Sequence, residues 1–266
     1  MKETETYIQN KKQLLLFGFT VTLIALLFSF YNPYVITRAS SENTTVTVTD
    51  GMGRIVEITT PINRVVINYP IATEMVFALE AQDKIVGIDT SSQDCAFLNS
   101  IKPDVSLTPY VGNPRNLNIE QAIALQPDLF IVGPNEQIVE NLEARGITNV
   151  FSVVAEDLDQ LRSSMINLGK ALGKEENAKK FVKYYDETLN VIAQKTSNLK
   201  DTERPLVYIA GRDGLLSTCG VDMYQDSIIS LTGGKSVGAS KEVANISRGW
   251  FKVSPEQIIN WDPEYI

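Results

Sequence analysis

One stretch of this chain is written twice. NIEQAIALQPDLFIV (118–132) and SPEQIINWDPEYI (254–266) each carry a capping residue, Glu-Gln, two apolar positions, and a proline followed by an acid and an apolar run. Glu120 to Pro127 and Glu256 to Pro263 are both seven residues apart. Upstream, LEAQDKIVG (79–87) is echoed by LTGGKSVG (231–238), and RVVIN (64–68) by PLVYI (205–209). A supersecondary unit repeated at an offset of about 136 residues implies two homologous lobes.

The order within each copy is strand, helix, strand, helix, strand. Strands that read as continuous apolar runs, such as RVVIN and DLFIV (128–132), are covered on both faces. Alternation of such strands with helices predicts a parallel α/β sheet. TVTVTD and RIVEIT flank Asp50-Gly51 with period-two alternation, which predicts a hairpin. Helices are expected near 71–80, from Asn118 and near 136–145, with strands at KIVGI (84–88) and NVFSVV (149–154).

From 157 to 199 the pattern is helical throughout. Ala178, Phe181, Val182, Tyr185, Leu189 and Ile192 recur on one face, and a helix over 174–198 would be a rod of roughly 38 Å. The predicted organisation is a membrane anchor or signal segment (1–38), a linker (39–45), an α/β lobe (46–155), a helical connector (156–200) and a second α/β lobe (201–266). The second copy stops two residues into its last strand. The expectation is therefore a truncated second lobe, since a cut parallel strand exposes apolar surface and unpaired backbone groups.

The anchor prediction comes from residues 13–37, an uncharged apolar run behind Lys11 and Lys12. It is long enough to cross a bilayer and longer than the apolar part of a cleaved signal peptide. Either form puts the rest of the chain outside the cytoplasm, anchored or secreted. A polar stretch, RASSENTT, follows as a linker.

Composition removes several function classes. A net charge of −8 argues against nucleic acid, which needs a basic face. The absence of histidine removes Ser-His-Asp and Cys-His catalysis and histidine-based metal cages. Cys95 and Cys219 are too few for a disulfide scaffold and read as two separate thiols. GGKS (233–236) is not a phosphate loop, because position 229 is Ile229, and DGMGR (50–54) lacks the third glycine of a dinucleotide fingerprint. No resident metal or cofactor is expected.

Ser254-Pro255-Glu256-Gln257 reads as a capping box, and Asn118-Ile119-Glu120-Gln121 has the same form. Either glutamate alone is explained by the helix dipole. A matched pair, one per lobe, suits a symmetric partner.

With TVTDGMGRIVEI, INRVV, NLNIEQAIALQPDLFIV, GLLSTCGVDMYQDSIISLTGGKSV and GWFKVSPEQIINWDPEYI in this order, the chain resembles the ABC-importer binding proteins for iron chelates and cobalamin. The resemblance covers nearly everything from residue 46 onward. It implies two Rossmann-like lobes joined by one long helix, a monomer that holds its ligand in the cleft, and delivery to a permease dimer. By position, Glu120 and Glu256 would dock on that permease. Tyr110 and Trp250 match places where cobalamin binders put cleft aromatics. Tyr69 and Arg212 follow strand ends, where ligands bind in such sheets. Arg115, Arg212 and Arg248 would neutralise an anionic chelate such as a ferric siderophore.

Two other readings stay open at this point. One is a degenerate fragment that serves as a membrane-anchored interaction module. The other is an extracellular hydrolase using carboxylates such as Glu74, Asp89 and Asp94.

Overall fold

The hairpin forms as its alternation requires. Strands β1 (Thr44–Thr49) and β2 (Ile55–Thr60) pair antiparallel from Thr44↔Thr60 to Thr49↔Ile55. The structure is a computed structural model and describes residues 43–211, 214–221, 223–239 and 249–266. The apolar run at 13–37, with its expected membrane helix, lies outside the described residues, as do Arg212 and Arg248. Among the described residues no helix is long and apolar enough to cross a membrane.

The chain continues through β3 (Val65–Ile67), α1 (Pro70–Ala78), β4 (Ile85–Gly87) and the short helices α2 (Thr90–Gln93) and α3 (Ala96–Ile101). Then come β5 (Gly112–Asn113), β6 (Asn116–Leu117), α4 (Ile119–Ala124), β7 (Leu129–Val132), α5 (Glu136–Glu143) and β8 (Val150–Ser152). Strands β4, β3, β7 and β8 form, in that order, one parallel sheet. Alternate residues serve its two faces. Val65, Ile67, Leu129 and Ile131 enter one core with Met75, Leu79 and Phe151. Val66, Phe130 and Val132 enter the other with Ala122, Ile138 and Leu142. Burial on both faces is why these strands read as unbroken apolar runs.

The hairpin tip is fastened to this sheet. Gly51 N donates to Ser152 O at 2.7 Å, and a Cβ at Gly51 would stand 2.3 Å from Val154 N. The glycine-rich stretch 50–54 is thus a packed turn.

Two helices follow, α6 (Leu158–Ala171) and α7 (Glu175–Thr196). The helical region is not one connector. Met165, Leu168, Ala171 and Leu172 of α6 and its end are buried in the first core, so α6 belongs with the first sheet. Only α7, 22 residues and about 33 Å long, bridges. Ala178, Phe181 and Val182 pack on the first core, whereas Thr196 Oγ1 donates to Leu231 O at 2.8 Å in the second half.

That half comprises β9 (Leu206–Val207), β10 (Ser217–Cys219), α8 (Tyr224–Leu231), β11 (Lys235–Ser236), β12 (Trp250–Lys252) and α9 (Pro255–Trp261). β9 pairs parallel with β11 on one side and bridges parallel to Tyr265 on the other. This repeats the order β4-β3-β7, in a separate sheet. Its core, built on Tyr208, Val237 and Ile258, is smaller. The Tyr208 hydroxyl, buried there, donates to Leu215 O at 2.5 Å. Gly233 and Gly234 of GGKS close α8, where a Cβ at Gly233 would meet Leu199 at 2.7 Å.

The written duplication is also a structural one. Asn118 Oδ1 and Ser254 Oγ each accept from the backbone N–H three residues on, both at 3.2 Å. Gln126 and Asp262, at φ +49° and +46°, both leave their helices through the left-handed region. The proline that follows each disfavours right-handed helix at that residue. The next acid then caps its sheet. Asp128 Oδ2 accepts from Asn63 N and Arg64 N at 2.7 and 2.8 Å, and Glu264 Oε1 from Leu206 N at 3.2 Å.

Candidate functional site: an aromatic cleft

Parallel sheets place their strand-following residues along one edge, and ligands bind outside it. Tyr69 follows β3 by two residues, and its ring rests on Gly133 just beyond β7, where a Cβ would stand 3.2 Å from the ring. Glycine permits that close approach. Burial first, and then the negative charge of Glu156, push the Tyr69 hydroxyl above the usual phenol value. Tyr69 therefore stays a neutral donor at physiological pH.

Arg115 sits in the β5–β6 turn. Asn113 Oδ1 accepts from Arg115 N and Asn116 N at 3.0 and 3.1 Å. Asn68 Nδ2 donates to Asn113 O at 3.1 Å, and Asn135 Nδ2 to Pro114 O at 3.3 Å. These bonds tie the turn to the ends of β3 and β7. The guanidinium has no ion-pair partner among the described residues.

The second half supplies the opposite wall. Trp250 opens β12, paired with Cys219 of β10, and its ring lies on Gly211, where a Cβ would stand 2.6 Å away. Met223, Tyr224 and Gln225 come from the start of α8, and Tyr224 N donates to Glu156 O at 2.5 Å. Together with Tyr69, Arg115 and Glu156 they line a cavity of about 880 Å³ that is open at one side. Gln225 Oε1 is buried without a hydrogen-bond partner among the described residues.

The cavity gathers Tyr69, Arg115 and Trp250 of the residues expected from sequence. Tyr110 is not among its lining residues; its backbone bridges Ile88 and its side chain is largely exposed. Arg212 and Arg248 lie outside the described residues. The cavity also takes in Tyr224, Gln225 and Glu156, which no motif marks in the sequence. The one available signal was placement at element ends: Glu156 follows β8 and Tyr224 starts a helix.

The carboxylates suggested for hydrolysis do not converge here. Asp89 is fully buried and accepts from Ser92 N at 3.0 Å, Ser92 Oγ at 2.5 Å and Thr73 Oγ1 at 3.4 Å, so it is a helix cap. Neither Glu74 nor Asp94 lines the cavity. Among the described residues no group of histidine, cysteine or acid side chains is placed to hold a metal ion. Both cysteines are free thiols.

Glu120 and Glu256 lie away from the cavity lining, in the first turns of α4 and α9. Among the described residues Glu120 keeps a single long ion pair, 3.9 Å, to Arg145. Hydrogen bonds from its own backbone and then from Ser254 hold the Glu256 carboxyl below the usual range.

Two parallel sheets bridged by one helix, with a cleft walled by aromatic side chains from both halves, are the architecture of a two-lobed solute-binding protein. The chain belongs to the periplasmic binding protein family, whose sequence profile matches residues 65–266. It is 26% identical over 227 residues to an uncharacterised ABC transporter substrate-binding lipoprotein of Bacillus subtilis, covering 83% of this chain and 68% of that protein. It is 25% identical over 206 residues to the vitamin B12-binding protein of Yersinia pestis, covering 76% and 68%. Among solved structures, a periplasmic solute-binding protein of Veillonella parvula matches at TM-score 0.67 and 28% identity, covering 83% of this chain and 67% of that one. The molybdate-binding protein MolA of Haemophilus influenzae shares the fold at TM-score 0.72 and 21% identity, with 82% and 72% covered.

Proposed function

We propose that this protein is the extracytoplasmic receptor of an ABC importer and captures a bulky metal chelate or corrinoid. The observation that carries the reading is the convergence of Tyr69, Tyr224 and Trp250, from both halves, with Arg115, which has no ion-pair partner among the described residues, on one cleft. Aromatic faces suit a large, flat or apolar-rimmed ligand, and a guanidinium suits carboxylate or catecholate oxygens. A relative that binds vitamin B12 supports the corrinoid branch. The apolar run at 13–37 would hold the receptor at the membrane surface.

Glu120 and Glu256 are the proposed contacts to the permease. A helix that leads into a parallel strand runs against it, so its first turn lies toward the strands' carboxyl ends. α4 leads into β7, and α9 into Tyr265. Both glutamates are thereby offered at the edge from which ligands enter and leave.

The test is a titration of the full chain in detergent with ferric siderophores, cyanocobalamin and haem, followed by tryptophan fluorescence. Saturable quenching by one class is expected. It should vanish in Trp250→Phe and persist in Trp261→Phe, because Trp261 packs in the small core beside Tyr208. Lack of a saturable response to every ligand would overturn the reading.

A further inference from the structure

The two copies of the duplicated motif agree in identity at four aligned residues: Glu120 with Glu256, Gln121 with Gln257, Ile123 with Ile259, and Pro127 with Pro263. Two of these pairs have internal work. The glutamine position closes the cap, where Gln121 Oε1 also accepts from Asn118 Nδ2 at 3.2 Å, and the prolines follow the left-handed residues. The other two pairs face solvent. The Glu120 side chain is 84% exposed and Glu256 is exposed as well, while Ile123 is 36% and Ile259 74% exposed.

The contrast with the neighbouring position is informative. Ala122 and Ile258 are buried, and they differ between the copies. Core positions have been refitted to two different cores. The outward glutamate and isoleucine have kept their identity, although Ile259, 74% exposed, adds little to folding. In each copy the isoleucine stands three residues after the glutamate, so the two share one helix face.

We infer that Ile123 and Ile259 form, with Glu120 and Glu256, a single docking surface presented twice, whose occupant is a membrane permease of two equivalent halves, each offering a basic group beside an apolar patch. The inference rests on the permease reading above and extends it from charge to shape. Two solvent-exposed carboxylates, one held only by a long 3.9 Å pair to Arg145 and the other by its own helix cap, call for cationic partners, and a chain of net charge −8 repels acidic ones. Two equivalent faces on one chain match a two-fold partner. The apolar half of the contact supplies the water-excluding area that exposed ion pairs lack.

The experiment measures the affinity of the full chain for the importer permease of the same organism, held in lipid nanodiscs, at low and high salt. The variants are Glu120→Gln with Glu256→Gln, Ile123→Ser with Ile259→Ser, and the control Leu107→Ser with Val191→Ser, also exposed apolar residues at 81% and 52%. The isoleucine pair should weaken binding about tenfold or more without changing the salt dependence, and the glutamate pair should weaken it and flatten that dependence. The control should bind normally. Loss in the glutamate pair with an unchanged isoleucine pair would overturn this inference and leave the permease reading standing. Normal binding by both pairs would overturn the permease reading itself. Unfolding temperatures equal to that of the parent keep the comparison one of surfaces.

Discussion

Tyr224 N donates to Glu156 O at 2.5 Å, which joins the start of α8 to the segment leaving β8. One backbone bond therefore stitches the two walls of the cleft together, beside the ring and the carboxylate that line it.

That bond can be removed separately from the ring. Tyr224 is the first residue of its helix, where proline is tolerated, and Met223 before it is extended, as a residue preceding proline should be. Tyr224→Ala deletes the ring and Tyr224→Pro deletes the ring and the donor. The proline variant should be less stable than the alanine variant by about 1 kcal/mol, measured by urea unfolding.

Gly211 and Gly133 carry the two opposed rings, at different tolerances. Gly211→Ala would put a methyl 2.6 Å from both Trp250 and Ser217 Oγ, whereas Gly133→Ala puts one 3.2 Å from Tyr69. Gly211→Ala is expected to cost about 1–3 kcal/mol and to change the near-ultraviolet dichroism of tryptophan. Gly133→Ala should cost less, and shift ligand affinity more than stability.

One carboxylate oxygen of Asp128 holds two backbone donors at once, at 2.7 and 2.8 Å. Asp128→Ala should destabilise by about 1–3 kcal/mol, and Asp128→Asn, which keeps one acceptor oxygen, by less. Glu264→Gln should be nearly silent, because its single bond to Leu206 N is made by an exposed side chain. Chemical denaturation of the three variants checks the order.

Tyr185 gives a pH signature. Burial first, then the Tyr224 hydroxyl, pushes its own hydroxyl from the ordinary phenol value up to about 12, with Arg162 opposing. A raised phenol pKa means that the folded state holds its proton longer than the unfolded one. The stabilisation is whole below about pH 10 and is lost as pH rises toward 12. Tyr185→Phe should therefore show a shallower fall in unfolding free energy across that window than the parent does.

Local rules made much of this legible in advance. Caps at Asn118 and Ser254, the hairpin at Asp50-Gly51 and the doubly covered strand Leu129–Val132 follow from a few neighbouring residues each. The cleft was less legible. Tyr69 stands out because it follows a strand and Trp250 because the family resemblance puts a cleft aromatic there, whereas Tyr224, Gln225 and Glu156 sit at element ends that no motif marks. Tyr110, an aromatic residue in the same neighbourhood, has its backbone bridged to Ile88 and is not among the residues lining this cavity. The single helical region divided in two for a similar reason. Its apolar face could be counted, but which sheet buried Met165 and Leu168 could not.

The sequence by itself determined the duplicated α/β unit, its capping and its turn chemistry, since these depend on contacts within a few residues of one another. The tertiary structure alone decided which side chains meet across the cleft, because residues such as Arg115 and Trp250 belong to separate sheets and reach one cavity through long-range packing and not through any local preference. It also decided that Glu120, Ile123 and their counterparts stay outside. A residue's exposure is set by what the rest of the chain packs against, and that is a property of the folded whole.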